Sequence, residues 1–157
     1  MKVPNPVKVF IGRACQNILL TKDNLQKKGI SLDPLCLFCK TEVETMKHIL
    51  WDCPSIVDVW GACGRIIQKS YVAGYSFANV MVVLFDRCSG EDVEVYAEIA
   101  RRIWFKRNSV VREGEFIHPN EVIRISARFI NDYREALKKM GEGDFMEMTR
   151  VTQVFAR

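Results

Sequence analysis

The chain has 157 residues and a mass of 18.1 kDa; 48% of its residues are hydrophobic, 27% are charged, and the formal net charge is +4. That size suits one ordinary domain or two very small ones, and the balance of apolar and charged residues excludes a disordered or fibrous chain. No apolar run approaches the roughly 20 residues that span a bilayer. The N-terminus, MKVPNPVKVF, has no signal-peptide core or small-residue cleavage site, which predicts an intracellular protein, nuclear or cytoplasmic. Six cysteines in a reducing compartment point to metal more than to disulfides. The charge is uneven: residues 1–30 carry +5, residues 31–100 carry −5 and residues 101–157 carry +4. Two basic ends around an acidic middle are compatible with a polyanionic partner, and also with solvated helix faces that happen to be rich in Lys and Arg.

The apolar spacing is helical nearly throughout. Phe10, Ile11, Ala14, Ile18 and Leu19 recur at three- and four-residue steps in a first helix. Thr21 is placed to cap a short second helix through Leu25, and Gly29 to stop it. Ser31 to Lys40, with Pro34 and two cysteines, reads as an irregular loop. From Thr45 the pattern predicts about two helical turns with His48 on the first, and Pro54 opens a further helix carrying Ile56, Val59, Trp60 and Cys63. Gly74 precedes a short apolar segment, Phe77 to Phe85, whose Val80–Phe85 stretch could also be a strand. A long helix is expected over about Glu91 to Val110, with Val93, Tyr96, Ala100, Ile103 and Trp104 as its apolar stripe and Gly114 as its end. Pro119 opens a last helix with Val122, Phe129, Ile130, Tyr133 and Leu137 on its buried face, closed by Gly141, Gly143 and Asp144. The reading is therefore mostly α: a small helical domain organised around the cysteine-bearing knuckle over residues 5–70, a hairpin-like helical part over 76–140, and a tail over 141–157.

Cys36, Cys39, His48 and Cys53 form C-x2-C-x8-H-x4-C. Zinc takes four soft or borderline donors in a tetrahedron, and three Cys with one His is a common closed set for a single structural ion. The two-residue gap between Cys36 and Cys39 lets both sulfurs chelate one ion. Four protein donors leave no open position for a reacting water, which favours a structural over a catalytic metal. Three thiolates on one Zn²⁺ leave the site at −1, so the knuckle is a poor phosphate grip. Cys15 and Cys63 read as small core residues, Cys88 as an exposed thiol in a loop, and His118 as a capping or loop residue.

With these features in place, KVFIGRACQNILLTKDNL, DPLCLFC and EVETMKHILWDCPSIVDVW together resemble the reverse-transcriptase zinc-binding domain of plant non-LTR (LINE-type) retrotransposons. The likeness covers about residues 5–62: a basic-aromatic helix, a Thr-capped second helix, CxxC, Glu-x-x-x-His, Cys-Pro and a following Trp. In that family the domain lies between the reverse transcriptase and a ribonuclease H-like domain; the shared motifs imply, by resemblance, that Cys36, Cys39, His48 and Cys53 are the metal ligands. AEIARRIWFKRNSVVREGEFIHPNEVI resembles the helical connector ahead of the ribonuclease H fold, which extends the likeness to about residue 140. Such elements usually have Trp where this chain has Gly12 and Pro where it has Leu20. Gly12 costs about 1 kcal/mol of helix propensity relative to Ala, which predicts a weakened or interrupted first helix.

Enzymatic chemistry of that lineage needs carboxylates converging on two Mg²⁺ ions. The acids here, Asp33, Glu42, Glu44, Asp52 and Asp58, are scattered singly, and Glu44 and Asp52 flank the knuckle where they would support it. A non-catalytic module is expected, and two roles fit it. One is nucleic-acid binding (RNA or DNA, with weak sequence specificity) through Lys8, Arg13, Lys22, Lys27 and Lys28 near the N-terminus and Arg101, Arg102, Lys106, Arg107 and Arg112 on the long helix. The other is a host-retained protein–protein interaction module on a structural zinc scaffold, docking through apolar positions left bare by missing neighbours. Neither role calls for a membrane or a small-molecule substrate.

Overall fold

The computed structural model of the chain describes residues 1–63, 74–113 and 118–140, with the side chains of 110–113 excepted. Among these residues the fold is helical, and the one β-type pairing is an isolated bridge between Leu35 and Val43. No helix of the described residues is long and apolar enough to cross a membrane. The expected helix end at Gly114, the closing Gly141, Gly143 and Asp144, the tail over 141–157 and the boundary near residue 70 lie outside the described residues.

Helix α1 (Asn5–Cys15) carries Pro6 in its first turn, where the missing N–H costs nothing, and buries Val7, Phe10, Ile11 and Ala14. It ends in a left-handed residue, Asn17, with φ 54°. The Ile18 N–H bonds back to the Arg13 carbonyl and the Asn17 N–H to that of Ala14, satisfying the last carbonyls of the helix. Helix α2 (Lys22–Lys27) is capped as expected, with the Thr21 hydroxyl accepting from the Asn24 N–H. Gly29, at φ +83°, stops it through the same kind of closure, Ile30 N–H to Leu25 carbonyl. The Asn24 side-chain amide, buried between the two helices, donates to the Asn17 and Leu19 carbonyls and fixes α2 against the end of α1.

Gly12 does not interrupt α1, which runs unbroken through it. The position faces solvent, and a methyl group added there would meet nothing within 4 Å. Gly12→Ala is therefore expected to raise unfolding stability by about 1 kcal/mol. A urea midpoint at or below that of the parent would show that the backbone there needs glycine.

Helix α3 (Val57–Ala62) follows the 3₁₀ turn Pro54–Ile56 and buries Val59 and Trp60. Helix α4 (Phe77–Arg87) replaces the strand alternative, and its start explains why. Ser76 and Asn79 form a reciprocal capping box that satisfies the first helical N–H groups. Helix α5 (Gly90–Glu113) is the central element: α1, α4, the segment His48–Asp52 and the last helix, α6 (Pro119–Met140), all pack on it. The core is continuous from Val3 and Val7 through Met46, Ile49 and Leu50 to Val93, Ile99, Ile103 and Ile130. Residues on both sides of the sequence-level boundary thus share one hydrophobic interior. On α6, Ile130 and Tyr133 are buried as expected and Ser126 joins them, whereas Val122, Phe129 and Leu137 are only half-buried.

Cys15 and Cys63 pack against the core, and burial pushes the Cys63 thiol up to about 12. Cys88 is half-buried rather than exposed. His118 acts as a cap, its Nδ1 accepting from the Asn120 N–H and its carbonyl from Glu121 and Val122.

Candidate metal centre

The irregular stretch before the knuckle is closed by main-chain bonds. The Cys36 N–H donates to the Glu42 carbonyl at 2.8 Å and Lys40, left-handed at φ 59°, donates to the Cys36 carbonyl at 2.9 Å. The result is a tight turn that places Cys36 and Cys39 side by side.

The other two donors come from a segment that is not the expected α-helix. Thr45 starts it, its hydroxyl accepting from the His48 N–H, and His48–Asp52 then winds as a single π turn closed by Cys53 N–H to His48 carbonyl at 2.8 Å. One turn of π winding takes more than four residues, so positions five apart return to the same side, and such turns cluster at functional sites. Here that brings His48 and Cys53 to one face. Lys47 and Asp52, also five apart, pair across the same turn at 3.0 Å. Asp52 thus braces the π turn, a supporting part in keeping with its expected place beside the knuckle.

All four donor atoms lie within 4.8 Å of one another. Cys36 Sγ and Cys53 Sγ are 3.8 Å apart, and Cys39 Sγ and His48 Nε2 are 3.4 Å apart. A tetrahedron with Zn–S bonds of about 2.3 Å has S···S edges of about 3.8 Å, and slightly shorter S···N edges, so the residues present fit a zinc ion. Cys36 and Cys53 are buried, at 1% and 0% exposure, His48 is buried and Cys39 is half-buried.

The protonation of the four groups is coupled through their contacts. The hydrogen bond from Cys36 holds the Cys53 thiol below its ordinary value, while the same contact, with burial, pushes Cys36 up to about 12. Burial opposes ionisation of Cys39, but hydrogen bonds from Thr41 and from main-chain N–H groups outweigh it and Cys39 is lowered. Burial likewise works against a charged His48, yet its contacts with Cys36 and Cys39 raise it. Two of the three sulfurs are thus eased toward ionisation, whereas Cys36 and His48 hold their protons more strongly, so a divalent cation would bind by displacing protons, after which all four groups serve it as donors. The Phe38 N–H to Cys36 Sγ at 3.4 Å and the Thr41 hydroxyl to Cys39 Sγ at 3.3 Å supply donors around the sulfurs. The cluster supports one structural zinc ion.

Glu44, which flanks the knuckle, is fully buried. Its carboxylate accepts from the Lys22 and Leu37 N–H groups and from Arg107. Arg107 is accordingly not part of an outward basic stripe: it is turned inward, buried, with its guanidinium 5.1 Å from the Trp104 ring. Arg101 and Arg102 also turn back on the protein, both pairing with the fully buried Glu98 and lying over the Phe129 ring. Lys22 donates to the Leu35 carbonyl at 2.6 Å, and Lys27 pairs with Asp23 at 2.7 Å. Lys8, Arg13 and Lys28 are exposed and Lys106 is half-buried, and among the described residues none of these four forms an ion pair. The side chain of Arg112 lies outside the described residues.

Sequence reasoning missed the buried carboxylates of α5. Glu98 carried a usable signal, since Arg101 and Arg102 stand three and four residues on. Glu94 did not: its partner Arg134, at 2.6 Å, is 40 residues away on α6.

Residues 1–60, which contain all four donors, match the family model for zinc-binding in reverse transcriptase. That match and the four-donor cluster within it support a zinc-binding domain of the reverse-transcriptase kind over this part of the chain, in line with the resemblance to retroelement proteins. Over 150 residues, 93% of its length, the chain is 23% identical to a protein of Arabidopsis thaliana named "Putative ribonuclease H protein At1g65750". It spans 23% of that protein's length. No solved structure matches the chain.

Proposed function

We propose that the chain is a non-catalytic, zinc-scaffolded module of retroelement origin that contacts nucleic acid through its N-terminal basic residues. The observation that carries this reading is the sorting of its cations. Arg101, Arg102, Arg107, Lys22 and Lys27 are engaged within the protein, whereas Lys8, Arg13 and Lys28 stand exposed in a segment of net charge +5. Uncommitted cations on α1 and at the end of α2 suit phosphate contact, which carries affinity with little sequence preference. A non-catalytic role is supported by the closed four-donor set and by the buried carboxylates Glu44, Glu94 and Glu98, each neutralised by arginine inside the fold.

The test is binding of the zinc-loaded chain to labelled RNA, single-stranded DNA and duplex DNA across a salt series. Lys8→Glu, Arg13→Glu and Lys28→Glu together are expected to abolish binding at low salt. Each lost contact should flatten the slope of log affinity against log salt by about 0.7 to 0.9. Binding that the triple variant leaves intact would overturn the assignment of this surface. A protein-docking role has its own support in Val82 and Phe85, adjacent on the outer face of α4 and 66% and 53% exposed. Association through them would persist at high salt, where phosphate contacts fail.

A further inference from the structure

Glu44 ties together three parts of the chain that are far apart in sequence. Its carboxylate Oε1 accepts the Lys22 N–H at 3.1 Å, from the first turn of α2. Oε2 accepts the Leu37 N–H at 3.3 Å, from inside the Cys36–Cys39 turn. Arg107 Nη2, from α5, reaches Oε1 across 63 positions of sequence. The main chain of Glu44 is bound as well, its N–H donating to the Pro34 carbonyl and its carbonyl accepting from the Asp23 N–H. The carboxylate is 0% exposed, and Arg107 is the one full positive charge that meets it among the described residues. Arg107 is in turn held by the Trp104 ring and by Asn108, which accepts from its Nη1.

A buried carboxylate is tolerated only where its partners are all in place, and removing one partner leaves an uncompensated charge. The Leu37 N–H can reach Glu44 only while the CxxC turn is closed, and Arg107 can reach it only while α5 is docked. Glu44 therefore has a full set of partners only in the state where both conditions hold.

We propose that the Glu44–Arg107 pair is a latch that couples closure of the zinc knuckle to docking of α5, so that the metal state of residues 36–53 is transmitted to the C-terminal half. The latch rests on the metal centre and is independent of the nucleic-acid reading. Coupling of this kind is reciprocal: if zinc favours docking, docking favours zinc by the same factor.

The experiment measures zinc affinity of the full chain by competition with a chromophoric chelator. Arg107→Met keeps much of the side-chain volume and removes the charge; it is expected to weaken zinc about tenfold or more, the range found for residues that support metal ligands. Arg134→Met, which breaks the Glu94 pair elsewhere on α5 and α6, is expected to leave zinc affinity within about twofold, since it touches no part of the knuckle. Amide exchange in the parent chain gives a readout that needs no variant: chelation should speed exchange over residues 103–109. Equal zinc affinity in the parent and Arg107→Met overturns the latch, as does protection over 103–109 that ignores chelation. A parent chain that takes up no zinc overturns the metal centre itself.

Discussion

Chelating the metal, or replacing Cys53 with Ser, is expected to unfold residues 1–60 and to destabilise the rest. The donors sit within the hydrophobic interior: Cys36, Cys53, Ile49 and Leu50 are all at or near zero exposure. Without the cation, three sulfurs and an imidazole are left packed together with no ion to bridge them, a poorly satisfied polar cluster inside the core. Structural zinc contributes on the order of 10 kcal/mol in zinc-finger peptides, comparable to the whole stability of a domain. The helices after residue 90 could survive such a loss if their core were separate, but α5 is packed by α1 and by the π turn that carries His48. The damage should therefore spread, with a fall in helical circular dichroism and a drop in melting temperature of more than about 10 °C. Cys88→Ser, at a half-buried position outside the cluster, should leave both unchanged. A metal-free chain that keeps its helicity and its melting temperature would sink the structural role of the ion.

The donors were legible because chelation imposes a spacing, and C-x2-C-x8-H-x4-C survives translation into one dimension. Local chemistry was legible for the same reason: Thr21 caps α2, Gly29 stops it, and Pro119 opens α6 within the residues that sequence alone assigned. What sequence misread was geometry set from outside the segment. The stretch after Thr45 has an ordinary helical pattern, yet His48–Asp52 is a π turn, a winding that lets His48 and Cys53 face one ion. Val80–Phe85, rich in β-branched and aromatic residues, admits a strand until the box formed by Ser76 and Asn79 is weighed. The long-helix arginines looked like a phosphate-facing stripe because helical spacing gives the faces of a helix but not which face is covered. On α5 several sides are covered, and Arg107 meets Glu44 through a contact that no local pattern encodes.

Trp60→Ala is expected to be the most damaging single core substitution outside the donors, and Trp60→Phe separates its causes. Trp60, 5% exposed on α3, lies where the knuckle meets the central helix. Its indole N–H donates to the Leu50 carbonyl in the π turn at 3.0 Å. Its ring lies 5.0 Å from Trp51 and meets Tyr96 of α5 edge-on at 6.4 Å. Truncation to Ala removes a large apolar body and leaves a cavity, a change that costs about 3 to 5 kcal/mol in other cores. Trp60→Phe keeps most of the packing and deletes the donor, so its cost, about 1 to 3 kcal/mol, reports mainly on the Leu50 bond and the smaller ring. Urea unfolding with an unchanged slope measures both values as shifts in midpoint. If Trp60→Phe matched the parent, the indole hydrogen bond would contribute nothing and the π turn would be held by the metal and its own main chain. If both variants also lost zinc in proportion to their loss of stability, Trp60 would join Glu44 as a route by which the knuckle and α5 stabilise each other, because linkage requires that coupling to act in both directions.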